Sequence, residues 1–214
     1  MFCEVVKGEA AVDNMDRMES EVSDRERPVM EATLRLIGRG GLKGVTHRAV
    51  AAETGLSLGA ITHYFGTRDL LVEAALKFAL MREVKRLRAL ALSLQSDALD
   101  VEAWIDALVG WYTKELASDA EIHTACYEAF LAAARDDRYR PIVAEWYETW
   151  RRSAELALTA AGSGSPRLHA EIFVSALVGI VLQQLAAPRR KFGAETRAAL
   201  SELVRGLIGS SGRT

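Results

Sequence analysis

The twenty residues from Thr46 to Phe65, THRAVAAETGLSLGAITHYF, constrain the fold more than any other part of the chain. Thr46 and Ser57 each place a hydroxyl ahead of a helical pattern, where a side-chain oxygen can accept from the orphan amides of the next turn. Two helices therefore start eleven residues apart. Between them Gly55 follows Thr54, and a backbone that leaves one helix for another at a steep angle favours a residue tolerant of positive φ. Val50, Ala51, Leu56 and Ile61 are spaced so that the two helices close on a small shared core, with Ala51 small where the second helix approaches. The pattern predicts a helix-turn-helix. Spacing alone also fits a plain helical hairpin, and the neighbouring residues weigh against it.

The second helix, expected from Leu58 to Tyr64, carries Thr62, His63 and Tyr64 on an outer face beside the small Gly59 and Ala60. Small residues let backbone approach a surface, and the polar ones reach phosphates or base edges. Lys43, His47 and Arg48 stand at the start of the first helix, and Arg68 opens the next long one. Together with the capping residues Thr46 and Ser57 and the helix-opening Leu58, these positions form the expected DNA-facing set. Positive side chains and free helix N-terminal amides then gather on one side, as phosphate binding requires.

Residues 25 to 80 resemble the DNA-binding domain of the TetR family of bacterial transcriptional regulators. That signature runs approximately Thr, an Ala-containing helix, Gly-Val-Ser-x-Gly-x-Leu-Tyr-x-His/Tyr-Phe, a short turn, Lys, and Leu-Leu. Here it stands as Thr46, then Gly55-Leu56-Ser57-Leu58-Gly59-Ala60-Ile61-Thr62-His63-Tyr64-Phe65, then Arg68-Asp69-Leu70-Leu71. The departures are Ala60 where the family often has Thr, Thr62 where it usually has Tyr, and Arg68 for Lys, which exchanges a point donor for a planar fork. The resemblance implies the docking mode on double-stranded DNA but not the operator sequence. It also implies a small-molecule effector pocket in the body, and a homodimer whose last two helices build a four-helix interface and read an inverted repeat.

With a formal net charge of -2 the whole molecule is no polycation, so DNA affinity has to come from local segregation of charge. From Met1 to Asp24, Glu4, Glu9, Asp13, Asp16, Glu19, Glu21 and Asp24 oppose only Lys7 and Arg17. From Arg25 to Leu71, Arg25, Arg27, Arg35, Arg39, Lys43, Arg48 and Arg68 outnumber Glu26, Glu31, Glu53 and Asp69, and this basic part coincides with the helix-turn-helix. Residues 1–22 read as a mobile acidic arm or, given Met15 and Met18, as an upstream start-site choice, without the basic start and apolar run of a signal peptide. Cys3 and Cys126 are the only cysteines, which gives no disulfide framework and fits a reducing cytoplasm.

Downstream the chain reads as a succession of helices with no Val-Ile-Thr alternation, giving an all-α fold of about nine helices. A capping box of Ser23 with Glu26 and the Pro28 of the first turn start a helix that Gly40-Gly41 ends. An amphipathic connector runs from Arg68 to about Leu94. Asp97 or Asp100 caps a helix to about Leu116, Asp119 one to about Ala134, and the region from Arg138 to Pro141 opens another to Ala161. Ser165 and Pro166 take cap and first-turn positions for a helix to Ala187, and a last helix covers Ala194 to Ile208. The expected units are a helix-turn-helix domain over 23–70 and a helical effector-binding and dimerisation domain over 71–214.

Aromatic residues gather in the middle of that second unit. Trp104, Trp111, Tyr112, Tyr127, Phe130, Trp146 and Trp150, with His123 as a polar group, are expected to line an apolar ligand cavity, although ordinary core packing uses the same residue types. His123 and Cys126 lie three apart on one helical face but lack a second pair, so no metal site and no cofactor is expected. No nucleophile elbow, phosphate loop or paired acid motif supports an enzyme. The helix from Pro166 is apolar nearly all round, and Phe173, Leu177, Ile180, Val181 and Gln184 are expected in a dimer seam. Its apolar run, broken by Ser175 and Gln183-Gln184, reads as too short and polar to span a bilayer. The reading is a sequence-specific DNA-binding regulator, a repressor released by a small hydrophobic effector; a rival is a helical small-molecule binding protein or enzyme with a vestigial head.

Overall fold

The helices begin and end where cap chemistry permits. The structure, a computed structural model, describes residues 26–93 and 100–210. Among them stand nine α-helices and no strand: α1 (Glu26–Gly40), α2 (His47–Thr54), α3 (Leu58–Phe65), α4 (Arg68–Ser93), α5 (Val101–Ser118), α6 (Ala120–Ala133), α7 (Arg140–Ala160), α8 (Pro166–Ala186) and α9 (Phe192–Ser210), with 3-10 turns at Leu42–Gly44 and Asp137–Tyr139. The Thr46 hydroxyl accepts from Ala49 N at 3.0 Å and that of Ser57 from Ala60 N at 3.1 Å, so both expected caps operate. Asp100 caps α5 by accepting from Glu102 N. Asp119 and Ser165 make no cap hydrogen bond; the Asp119 carboxylate instead accepts from Arg35 at 3.1 Å. The acidic arm of residues 1–22 and the Ser23 half of the capping box lie outside the described residues.

Gly55 sits at φ 72° and closes α2 in the left-handed region, which opens the turn into α3 without Cβ strain. Leu34, Ile37, Val45, Val50, Ile61, Phe65 and Leu71 fill the space between α1, α2, α3 and the start of α4. This core does not stop at residue 70. It continues through Phe78 of α4 into Ala125 and Ala129 of α6 and Ile142 and Trp146 of α7. A second core joins α5, α7, α8 and α9 around Trp104, Ile105, Leu158, Phe173 and Leu200.

The α1–α6 crossing ties the reading head to the bundle. Gly38 makes it possible: a Cβ built there would lie 2.0 Å from the Glu121 carbonyl oxygen. Ion pairs flank the crossing, Arg35–Asp119 at 3.1 Å and Arg39–Glu121 at 3.6 Å, while Arg82 of α4 reaches Glu31 of α1 at 3.8 Å.

Helix α8 divides the expected seam residues between two stripes. Phe173, Leu177 and Val181 are buried against the chain's own α5, α7 and α9, on the inner stripe of the helix. Its outer stripe runs Leu168, Ile172, Ser175, Gly179, Leu182, Ala186, and leaves Leu168 56%, Ile172 39% and Leu182 48% exposed. Ile180 and Gln184 are intermediate. By length and composition α8 could also cross a membrane, with 21 residues and a mean hydropathy of 1.6, so the expected interruption by Ser175 and the glutamines does not lower it enough. Core helices meet the same test, and one apolar stripe of α8 is packed into the bundle.

Candidate DNA-reading surface and ligand pocket

The three-helix head orients α3 outward because only two of its side chains are apolar on the inner face. Ile61 and Phe65 are buried; Leu58, Gly59, Thr62, His63 and Tyr64 are exposed, and Ala60 is intermediate. A Cβ at Gly59 would meet nothing within 4 Å, so the fold does not require a glycine there, while a surface approaching α3 gains from one. Lys43, Thr46, Arg48 and Ser57 are exposed on the flanking turns, and neither Lys43 nor Arg48 forms an ion pair among the described residues. Their charges remain directed to solvent.

Two members of the expected set are placed differently. Arg68 turns inward: its Nε donates to Val45 O at 2.9 Å, one Nη to Leu42 O, and the other to Asp69 at 2.8 Å. A guanidinium with donors on two loop carbonyls braces the turn before α2, and its side chain, 36% exposed, keeps further donors for the phosphate contact expected of it. His47 is half-buried, with Nε2 enclosed and without a hydrogen-bond partner.

A concavity open to solvent lies among α4, α5, α6 and α7, with Val181 of α8 also on its wall. Trp111, Tyr112, His123, Tyr127, Phe130, Trp146 and Trp150 line it, so seven expected residues share one cavity; Trp104 lines a neighbouring crevice with Phe173 and Leu177 instead. The rings form a continuous wall, with Trp111 5.3 Å from His123, Phe130 6.3 Å from Trp146, and Trp146 6.1 Å from Trp150 between centroids. Trp146 keeps a buried Nε1 without a partner. Tyr127 donates to Val178 O at 2.7 Å and so joins α6 to α8.

Sequence reasoning missed Arg82, Glu83 and Arg86, which line the same cavity from α4. A signal was present. Glu83 continues the stripe of Leu76, Leu80 and Leu87, all buried, and a carboxylate on an apolar stripe needs a specific partner. That partner is Arg86, joined by Trp150 Nε1, which donates to the same carboxylate at 2.7 Å.

Burial sets the protonation of the walls. It raises the Tyr112 phenol and the Cys126 thiol well above their usual ranges. For His123, burial first and the nearby Arg86 charge second lower the pKa from 6.5 to about 4. Between those values the unfolded chain binds a proton that the folded chain does not. Stability is complete above pH 6.5 and is lost as pH falls toward 4, by roughly 3 kcal/mol from this group. His123→Gln is expected to flatten urea-derived stability over that window; an unchanged slope refutes the assignment.

An outward helix presented by a three-helix head, joined by a long connector to a bundle with an aromatic cavity, defines a two-part helix-turn-helix protein. Residues 29–75 match bacterial regulatory proteins of the tetR family, and residues 99–210 match the tetracyclin repressor-like C-terminal domain. The chain belongs to the TetR family. It is similar to a TetR-family member from Streptomyces coelicolor A3, with 30% identity, a TM-score of 0.67, and coverage of 85% of this chain and 98% of that one. It is also similar to the multidrug binding protein EbrR complexed with ethidium, with 31% identity, a TM-score of 0.59, and coverage of 84% and 98%. The regulator BetI of Burkholderia mallei (strain NCTC 10229) is 30% identical over 131 residues, 60% of this chain and 54% of BetI. The matched stretches span a third to about half the length of the curated relatives.

Proposed function

We propose that this chain is a cytoplasmic transcriptional regulator without enzymatic activity, which binds an inverted-repeat operator as a two-fold dimer and is released from it by a small molecule held in the α4–α7 cavity. The exposed face of α3 carries this reading: Thr62, His63 and Tyr64 stand outward beside Gly59, the Thr62 hydroxyl donating to Leu58 O and Tyr64 in ring contact with its neighbours His63 and Phe65. Side chains in that position read base edges while Lys43, Arg48 and the N-termini of α2 and α3 hold phosphates. EbrR's complex with ethidium supports a ligand role for the corresponding bundle.

The effector signal has a short path. Helix α6 turns His123, Tyr127 and Phe130 to the cavity and Ala125 and Ala129 to the core shared with α1. A ligand that shifts α6 therefore moves the helix on which the head is built. It weakens DNA binding only through its differential affinity for the shifted state, and ~1 to 3 kcal/mol of coupling corresponds to several-fold up to about a hundredfold.

Salt titration of operator binding, using DNA from upstream of the chain's own gene, tests the docking. Arg48→Ala is expected to weaken all sequences alike and lower the salt slope by about one. Arg68→Ala is expected to lower the melting temperature, since it releases the Leu42 and Val45 carbonyls. An unchanged slope for Arg48→Ala removes that arginine from the interface, and absence of any operator preference overturns the regulator reading.

A further inference from the structure

The aromatic cavity contains a charge pair that its apolar walls do not require. Glu83 is 6% exposed, and its Oε1 accepts from Trp150 and from Arg86. The guanidinium carbon of Arg86 lies over the Trp111 ring, 3.0 Å from its centre. A desolvated carboxylate faced by indole rings is a site for a cation. Here the cation comes from the same helix, on a long rotatable stem three residues further on, with 24% of its side chain exposed.

We propose that Arg86 is a resident surrogate ligand, and that the effector is a flat organic monocation that takes its place over Trp111 and against Glu83 while Arg86 swings to solvent. The inference rests on the effector role of this cavity. A neutral ligand that displaced Arg86 would leave the buried Glu83 carboxylate with the neutral Trp150 Nε1 as its donor and no cation on that oxygen, and an anion would meet the carboxylates of both Glu83 and Glu115, with Arg82 the remaining cation on the wall. A cation in the place of Arg86 restores the charge balance at Glu83. Exchange at Arg86 also alters α4 one turn beyond Arg82, whose pairing with Glu31 connects α4 to α1 and hence to the head.

The test measures binding of 1-methylquinolinium and of uncharged quinoline to the full chain at pH 8, by calorimetry and tryptophan fluorescence. The wild type is expected to prefer the cation by at least about tenfold, the scale of a desolvated cation–π contact joined to a charge-assisted bond. Glu83→Gln should abolish the preference. Arg86→Gln, which removes the competitor, should tighten methylquinolinium about tenfold and leave quinoline unchanged. Thermal melts verify that both variants fold. Equal binding of the two compounds, or weaker cation binding in Arg86→Gln, overturns the inference; if either compound then still loosens the operator, the effector role of the cavity survives. If neither compound binds wild type or Arg86→Gln, the inference fails and the effector reading loses its main support.

Discussion

Gly38→Ala is expected to destabilise the fold by about 3 kcal/mol or more, because the clash is with backbone and no side chain can swing aside. The added Cβ would stand 2.0 Å from the Glu121 carbonyl oxygen and 2.9 Å from its Cα, so α1 and α6 have to separate along their whole crossing. That separation strips Ala125 and Ala129 of contact with the head core and stretches the Arg35–Asp119 and Arg39–Glu121 pairs. For a chain of this length the loss corresponds to a fall of roughly 6 to 12 °C in melting temperature. Gly110→Ala supplies the contrast: Gly110 is exposed in α5, and its Cβ meets nothing within 4 Å. Helix propensity then acts alone and stabilises by about 0.5 to 1 kcal/mol. Opposite signs for two Gly→Ala changes, read in one set of thermal melts, isolate the close approach as the cause. A Gly38→Ala protein that melts at or above the wild type sinks this account of the crossing.

What could be read from the sequence divides by the range of the interaction. Caps and turns are local, so Thr46, Ser57, Gly55 and Pro166 place their helices within a residue or two of the observed ends. The six cavity aromatics and His123 were legible as a group because bulky residues on successive helices of a bundle converge. Gly38 was not legible: a glycine inside α1 carries no local sign that another backbone will lie against it. Arg68 likewise looked like a free cation, since its partners Leu42 and Val45 are loop carbonyls that no pattern marks. Glu83 sat in an Arg-Glu-Val-Lys-Arg run that reads as a solvated face, although its register with Leu76, Leu80 and Leu87 pointed inward. The stripe of α8 that the monomer covers was not legible for a different reason. A helix apolar on every side has no preferred face in sequence, and only the packing of α5, α7 and α9 decides which stripe is covered.

That decision leads to the strongest functional prediction. The outer stripe of α8 places three large side chains, Leu168, Ile172 and Leu182, in water, with the small Ser175 and Gly179 between them. A Cβ at Gly179 would meet nothing within 4 Å, so the small residue leaves space that a second helix can enter closely. An isologous two-fold contact through this stripe would cover Leu168, Ile172 and Leu182 and would let two heads address successive major grooves. The paired substitution Ile172→Glu with Leu182→Glu is expected to give a folded monomer by sedimentation, with the wild-type helical circular dichroism. Its operator affinity should fall by at least about a hundredfold, since the second head no longer binds as an intramolecular event. Leu177→Glu should behave differently. It puts a carboxylate into the monomer's own core, at a residue 4% exposed, and is expected to unfold the bundle rather than merely dissociate it. A doubly charged α8 that remains a full-affinity dimer would remove the outer stripe from the interface; a folded, monomeric Leu177→Glu would return the seam to the inner one.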